Sequence, residues 1–200
     1  MASLYFGGSF NPIHHGHLIC SRAAAEAMGA ENVVLIPSAQ PPHKANAASM
    51  ASANDRLRMC QLATADDALF KVDSLELERA GPSYTFDTAR ILRKTDGQKI
   101  RWLVGADMLL DLPNWHRAED LLEEIDFVAM ARPGWNMDWS LMPTRFQKLR
   151  DNLVTTPAIG ITSTEIRLRV SQKRSIHYLT PPAVAGYIEQ QRLYQSASAS

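Results

Sequence analysis

This sequence has no surplus of charge of either sign: 21 lysines and arginines face 21 aspartates and glutamates across 200 residues. Without an overall basic field, nucleic acid is not an expected partner, and an anionic ligand has to be held by local groups. Cysteine is scarce. Cys20 and Cys60 are the two present, both inside predicted helices, which leaves no disulfide framework and suits a reducing compartment. Each reads as a small buried apolar residue. No apolar run approaches the length of a bilayer crossing, and Met1-Ala2-Ser3-Leu4-Tyr5-Phe6 lacks the basic start and apolar stretch of a secretory signal. The expectation is a cytoplasmic protein without a membrane partner. Neither H-E-x-x-H nor C-x-x-C occurs, so no residue is assigned as a metal ligand. Internal repeats are missing too.

What remains is an ordinary globule, 46% hydrophobic and 21% charged. The length suits one domain over 1–195, with a helical C-terminal part at about 162–195 and a flexible tail at 196–200. Apolar runs predict strands over 4–6, 32–37, 100–104 and 127–131, and an irregular one over 70–77. Helices are predicted over 18–28, closed by Gly29, over 56–64 behind a Ser52/Asp55 capping box, and over 85–94. Residues 38–51 read as loop, and 135–152 resist assignment. From Thr162 the pattern turns helical, ending in a helix near Pro181-Pro182 with Val184, Tyr187 and Ile188 on one face. Strands alternating with helices imply a doubly wound parallel α/β sheet with a small helical C-terminal extension. Ligands of such sheets bind outside the carboxyl ends of the strands. Gly7-Gly8, the 41–44 loop, Gly105-Ala106-Asp107 and Arg132-Pro133-Gly134 all follow predicted strands, so they are expected along one edge.

The densest stretch runs from Leu4 to Leu18 and reads strand, glycine loop, helix start. His14 and His17 stand three apart, so they share a helix face. The helix start offers unpaired N–H groups and the positive end of a dipole. Gly7 and Gly8 lack a Cβ, which would let a phosphate approach the main chain. A zinc site is the rival reading, but no third ligand or supporting pattern accompanies the histidines.

His14-His15-Gly16-His17 resembles the H-x-G-H signature of the nucleotidyltransferase superfamily, and its flanks resemble those of the nicotinate-mononucleotide adenylyltransferases. Those enzymes join ATP to nicotinate mononucleotide, giving deamido-NAD and pyrophosphate. The resemblance spans about 4–194 and implies a Rossmann-like fold. It implies catalysis by His14 and His17, and ATP binding by Gly7, Gly8, Ser9, Phe10, His14 and His17. Ile161-Thr162-Ser163-Thr164-Glu165-Ile166-Arg167 is a second helix start. Thr162 with Glu165 already fits a capping box, while Ser163, Thr164 and Arg167 suit oxyanions. The stretch resembles the I-S-S-T-x-I-R motif of the same superfamily, which acts on the ATP triphosphate, with Thr162 replacing the first Ser.

By the same resemblance, Gly105 and Asp107 bind ATP, Asp107 facing its ribose, and Arg132 lies on the adenine side. Lys44 belongs to a loop that approaches the substrates, although a solvated lysine explains it equally well. Gly81-Pro82-Ser83-Tyr84-Thr85 and Leu112-Pro113-Asn114-Trp115-His116 would hold the acceptor. An indole is a flat apolar platform for an aromatic ring. In nicotinate-specific relatives the residues matching Thr85 and Trp115 surround the pyridine, with main-chain N–H groups on its carboxylate; Tyr84 adjoins them. Many relatives carry Tyr where His116 stands, and His43 and His116 receive no role. No nucleophile sits beside an evident base, so direct transfer is expected. His17 would act on the α-phosphate and His14 on its neighbours, with Mg²⁺ arriving on ATP. Nicotinamide mononucleotide or phosphopantetheine as acceptor, a nucleotide sensor without turnover, and a zinc hydrolase are the alternatives. A homo-oligomer stays open.

Overall fold

Four apolar residues in a row, Val33 to Ile36, form most of strand β2 (Val33–Pro37), and all five of its residues are buried. Such a run suits a strand with parallel neighbours on both sides and helices above and below. The computed structural model describes residues 3–42, 50–96 and 99–195, apart from the Asp96 side chain, and within them β2 is one of six strands. The others are β1 (Leu4–Gly8), β3 (Phe70–Val72), β4 (Ile100–Gly105), β5 (Ile125–Ala131) and β6 (Leu153–Thr155). Every pairing is parallel, in the order β3-β2-β1-β4-β5-β6. This is the doubly wound Rossmann-like sheet anticipated from the alternating pattern.

Alternation along the strands divides the core in two. Val34, Ile36, Trp102 and Val104 face α3 (Thr85–Asp96) and α4 (Ala118–Glu124), meeting Phe86, Leu92 and Leu121. Val33, Leu35 and Leu103 face the other way. There they meet α1 (His15–Met28), α2 (Ala53–Thr64), α5 (Ser163–Ser171) and α6 (Pro182–Gln190), through Ala24, Met59, Ile166 and Val184. Between β1 and β4 the winding reverses, and their carboxyl ends part to leave a crevice.

Several boundaries differ from expectation, each for a local reason. α1 starts three residues early, at His15, because His14 is already its N-cap; Gly29 closes it at φ 58°. β3 ends at Val72. Leu75 and Leu77 belong to turns, because Asp73 Oδ1 accepts from Leu75 N–H at 2.8 Å and Ser74 C=O from Leu77 N–H at 2.7 Å. α4 and β6 were not anticipated. One has 7 residues and the other 3, too short for a periodic signal. Residues 135–152 hold two 3₁₀ segments, Trp139–Leu141 and Thr144–Asn152, the second burying Phe146 and Leu149.

Arg56, on α2, is 1% exposed. Its guanidinium donates to the carbonyls of Ser9 at 2.9 Å, Ala39 at 3.2 Å and Ala51 at 3.1 Å. One side chain therefore ties the loop after β1 to the loop after β2 and to the segment before α2. Arg56→Met keeps the apolar stem and leaves three partly buried carbonyls unpaired, each worth about 1–3 kcal/mol if not rehydrated. The variant is expected to lose about 3 kcal/mol in urea unfolding. An unchanged midpoint would show that the clamp is dispensable.

Candidate active site

Glycine at position 7 lets β1 lie against Trp102 of β4: a Cβ there would fall 2.3 Å from Trp102 Cζ2. At Gly8 the neighbour is the Phe10 ring, at 3.1 Å. The missing Cβ at Gly7 thus accommodates an indole, a reason the sequence did not show. Past these glycines the chain turns through Ser9-Phe10-Asn11-Pro12-Ile13 into α1.

The backbone of that turn is fastened by the far end of the chain. Ser163 Oγ donates to Pro12 C=O at 2.8 Å, and Arg167 Nη1 to Asn11 C=O at 2.8 Å. Thr180 Oγ1 donates to Ile13 C=O at 2.8 Å, and Tyr194 O–H to Asn11 Oδ1 at 2.8 Å. The second motif therefore stands beside the first. Its hydroxyl and guanidinium are committed to this backbone, however, and Arg167 Nη2 also meets Thr164 Oγ1 at 3.3 Å. Thr164 and Arg167 line a neighbouring cavity of about 690 Å³ with Ser52, Arg192 and Tyr194.

His14 and His17 stack with ring centres 3.7 Å apart. The His14 N–H donates to His17 Nδ1 at 3.3 Å. With Nδ1 an acceptor, the proton of neutral His17 sits on Nε2. Phe6 and Phe10 pack around the His17 ring at 6.0 and 5.2 Å. His14 lies deeper, 6% exposed, and its Nδ1 is buried without a hydrogen-bond partner among the described residues. Burial, aided by repulsion from His15, lowers its pKa to about 4.

The folded pKa of His14 lies below its ordinary 6.5, so the unfolded chain takes the proton first. Its contribution to stability is complete above about pH 6.5 and is lost as pH falls toward about 4. Between about pH 7.5 and about pH 5 this amounts to about 2 kcal/mol. His14→Gln should unfold with a flatter pH profile over that interval; a profile parallel to the parent would show His14 to be solvated.

His17 lines a cavity of about 780 Å³ in the crevice between β1 and β4. Gly7, Gly8, Ser9, Phe10 and Gly105 form the wall on the strand side. Tyr84, Thr85, Trp115 and His116 line it too. Asp107 and Arg132, following β4 and β5, pair at 3.3 Å on the exposed edge. Lys44 and His43 lie outside the described residues. Trp115 is half-buried and packs edge-on against Phe127 at 6.3 Å, with its indole N–H unpartnered among the described residues. The ring that lies flat on Tyr84 is instead His116, at 4.1 Å and 23°.

Glu76 also lines this cavity and was not singled out by its sequence context, Leu75-Glu76-Leu77. It is 3% exposed. Thr88 Oγ1 donates to its Oε1 at 2.7 Å, and its Oε2 is buried without a partner among the described residues. Burial raises its pKa, opposed by the hydroxyls of Thr88, Ser83 and Ser38 and by Arg79. Ser83 and Gln40 exchange two bonds, at 2.9 and 3.1 Å, which joins the loop after β2 to the start of α3. Among the described residues no three His, Cys, Asp or Glu side chains gather as a metal cage. Cys60 is sealed in the core, its thiol pKa raised by burial. An imidazole and the N-terminus of α1 stand at the crevice, groups that can stabilise negative charge.

Comparison with known proteins points the same way. The model of the cytidylyltransferase-like family matches residues 5–169. A protein of Herpetosiphon aurantiacus named "Probable nicotinate-nucleotide adenylyltransferase" is 41% identical over 192 residues, spanning 94% of this chain and 96% of its own. One of the same name from Thermus thermophilus is 41% identical over 191 residues, spanning 95% and 97%. Among solved structures, a "Plasmodium falciparum nicotinic acid mononucleotide adenylyltransferase complexed with NaAD" superposes at TM-score 0.75, with 17% identity over 97% of this chain and 98% of that one. At that identity the likeness speaks for the fold.

Proposed function

We propose that this chain, which belongs to the cytidylyltransferase-like family, transfers the adenylyl group of ATP to nicotinate mononucleotide, releasing pyrophosphate and forming deamido-NAD. The names of the relatives at 41% identity support the acceptor. The observation that carries the chemistry is His17: a ring on the cavity wall, at the start of α1, whose Nδ1 bond leaves Nε2–H as donor.

An oxygen of the acceptor's phosphate attacks the α-phosphorus of ATP, and the bond from that phosphorus to the pyrophosphate oxygen breaks. The attacking oxygen is already ionised, so no general base is needed. Catalysis rests on alignment of two anions and on charge stabilisation at the α-phosphate. His17 Nε2–H meets the charge that develops there, and His14 supports the neighbouring phosphates from behind. Gly7, Gly8, Ser9 and Phe10 border the phosphates; Gly105 and Asp107 hold the ribose, and Arg132 the adenine side. Ser163, Thr164 and Arg167 act on the outer phosphates, with Arg167 still braced on Asn11. Mg²⁺ would arrive with ATP as part of the substrate and would supply charge neutralisation at the phosphates, and no side chain is assigned to hold it. Tyr84, Thr85 and Trp115 receive the pyridine, and Lys44 is assigned to substrate binding by the resemblance.

We assign this activity to one domain over 1–195 and to the cytoplasm; among the described residues no helix is long and apolar enough to cross a membrane. The test is pyrophosphate release with ATP and each of nicotinate mononucleotide, nicotinamide mononucleotide and phosphopantetheine. Release dependent on the first supports the assignment. Release with phosphopantetheine alone would overturn the acceptor, and ATP binding without release would make the chain a sensor.

A further inference from the structure

We propose that Tyr194, at the far end of the chain, is a positioning residue for the reaction: its hydroxyl holds Asn11, and through Asn11 the turn that aims His17. The proposal rests on the adenylyl-transfer reading above. Asn11 lies in the turn between β1 and α1 and is 4% exposed. Its Oδ1 accepts from Ala51 N–H at 3.0 Å and from Tyr194 O–H at 2.8 Å. An amide oxygen has two lone pairs, and a main-chain N–H can only donate, so the Ala51 bond fixes which end of the amide faces both partners. Held in two directions, the Asn11 side chain cannot rotate without breaking one bond. Three residues on, His14 N–H donates to His17 Nδ1 at 3.3 Å, the bond that orients the imidazole. The intervening carbonyls of Asn11, Pro12 and Ile13 are each bonded as well, to Arg167, Ser163 and Thr180. A shift at Asn11 is therefore passed along a short, pinned turn to His17.

The chain beyond α6 bends to bring this hydroxyl in. Arg192 N–H donates to Glu189 C=O at 3.1 Å and Leu193 N–H to Ile188 C=O at 3.0 Å, the paired bonds of a Schellman ending. Its left-handed position, usually glycine, is Arg192 at φ 53°, and Tyr194 follows at φ 62°. Side chains other than glycine enter that region at a cost. Leu193 and Tyr194 hold the bend by packing against the core that contains Phe10 and Ile13. The docking of α6 does not depend on Tyr194. Val184 and Ile188 are buried, and Tyr187 O–H donates to Asp55 Oδ1 of α2 at 2.8 Å. Loss of the Tyr194 hydroxyl thus falls on Asn11 and its turn, with α6 still in place.

The experiment measures kcat and the KM of ATP and of nicotinate mononucleotide in the parent, Tyr194→Phe, Asn11→Ala and the double variant. It also records the imidazole proton and nitrogen resonances of His17 in the parent and in Tyr194→Phe. Tyr194→Phe keeps the ring and removes the hydroxyl. It should stay folded by circular dichroism and lose about tenfold in kcat, with each KM within about twofold, because a misplaced donor forfeits transition-state stabilisation and not ground-state binding. In the Asn11→Ala background the same change should cost nothing further, since the two residues act in series. The His17 resonances should shift in Tyr194→Phe. Unchanged kcat in folded Tyr194→Phe overturns the proposal. So do additive losses in the double variant, which would give Tyr194 a route of its own. A rise confined to the KM of ATP overturns it too, because the hydroxyl would then serve Arg167 and the phosphates. If Asn11→Ala does not fold, kcat and the resonances of Tyr194→Phe decide. A parent that releases no pyrophosphate overturns the adenylyl-transfer reading; shifted His17 resonances would still establish the hold of Tyr194 on His17, and unshifted ones would overturn it.

Discussion

His17→Ala is expected to fold and to turn over about 10²–10³-fold more slowly, with the KM of each substrate changed far less. The effect falls on kcat because the donor meets charge that exists only as the α-phosphorus is attacked. One bond and the packing of two rings fix its aim: the His14 main-chain N–H donates to Nδ1, and Phe6 and Phe10 pack about the imidazole. His17→Gln restores an N–H donor without the ring's placement and should recover part of the rate. Circular dichroism and urea unfolding establish that the variants are folded. Near-normal turnover of folded His17→Ala would remove this residue from the mechanism and leave the helix N-terminus as the source of charge stabilisation.

Much of this site could be read from the chain because its parts are local. Ser52 caps α2 through Asp55 N–H, and Thr162 caps α5 through Glu165 N–H, at 3.1 Å in each case. Such bonds span three residues and need no knowledge of the fold. The glycine turn and α1 are likewise a single continuous stretch. Charged residues that are buried escape this kind of reading. Arg56 and Glu76 look like ordinary surface charges in sequence, and their burial follows from loops brought together across the sheet. Gly7 shows the same limit from another side: its need for no Cβ comes from Trp102, 95 positions later. Short elements such as β6 exist because a neighbouring strand, here β5, offers its edge. The bond of Arg167 to Asn11 C=O is a contact between two distant motifs that spacing alone could not reveal.

Nicotinate mononucleotide is expected to be used at least about 10²-fold better than nicotinamide mononucleotide, in kcat/KM at a single neutral pH. The two differ by one oxygen against one NH₂. The N–H groups of Thr85 and Phe86 at the start of α3 meet a carboxylate as donors to an acceptor. Turned toward an amide, one of them faces the amide's own donor. A buried donor left unpaired costs about 1–3 kcal/mol, and the acid also gains charge assistance, so two such contacts reach the stated ratio. The platform beneath the ring should not discriminate. Trp115 is packed on Phe127 and shared with the core, so Trp115→Phe is the informative change: it keeps an aromatic face and limits the cavity left behind. It should lower kcat/KM for both acceptors by similar factors, because stacking senses the ring and not its substituent. If the ratio shifted with Trp115→Phe, the unpartnered indole N–H would be a carboxylate ligand in its own right. Equal use of acid and amide by the parent would sink the nicotinate assignment and leave adenylyl transfer standing, since nothing around His17 depends on the acceptor's substituent.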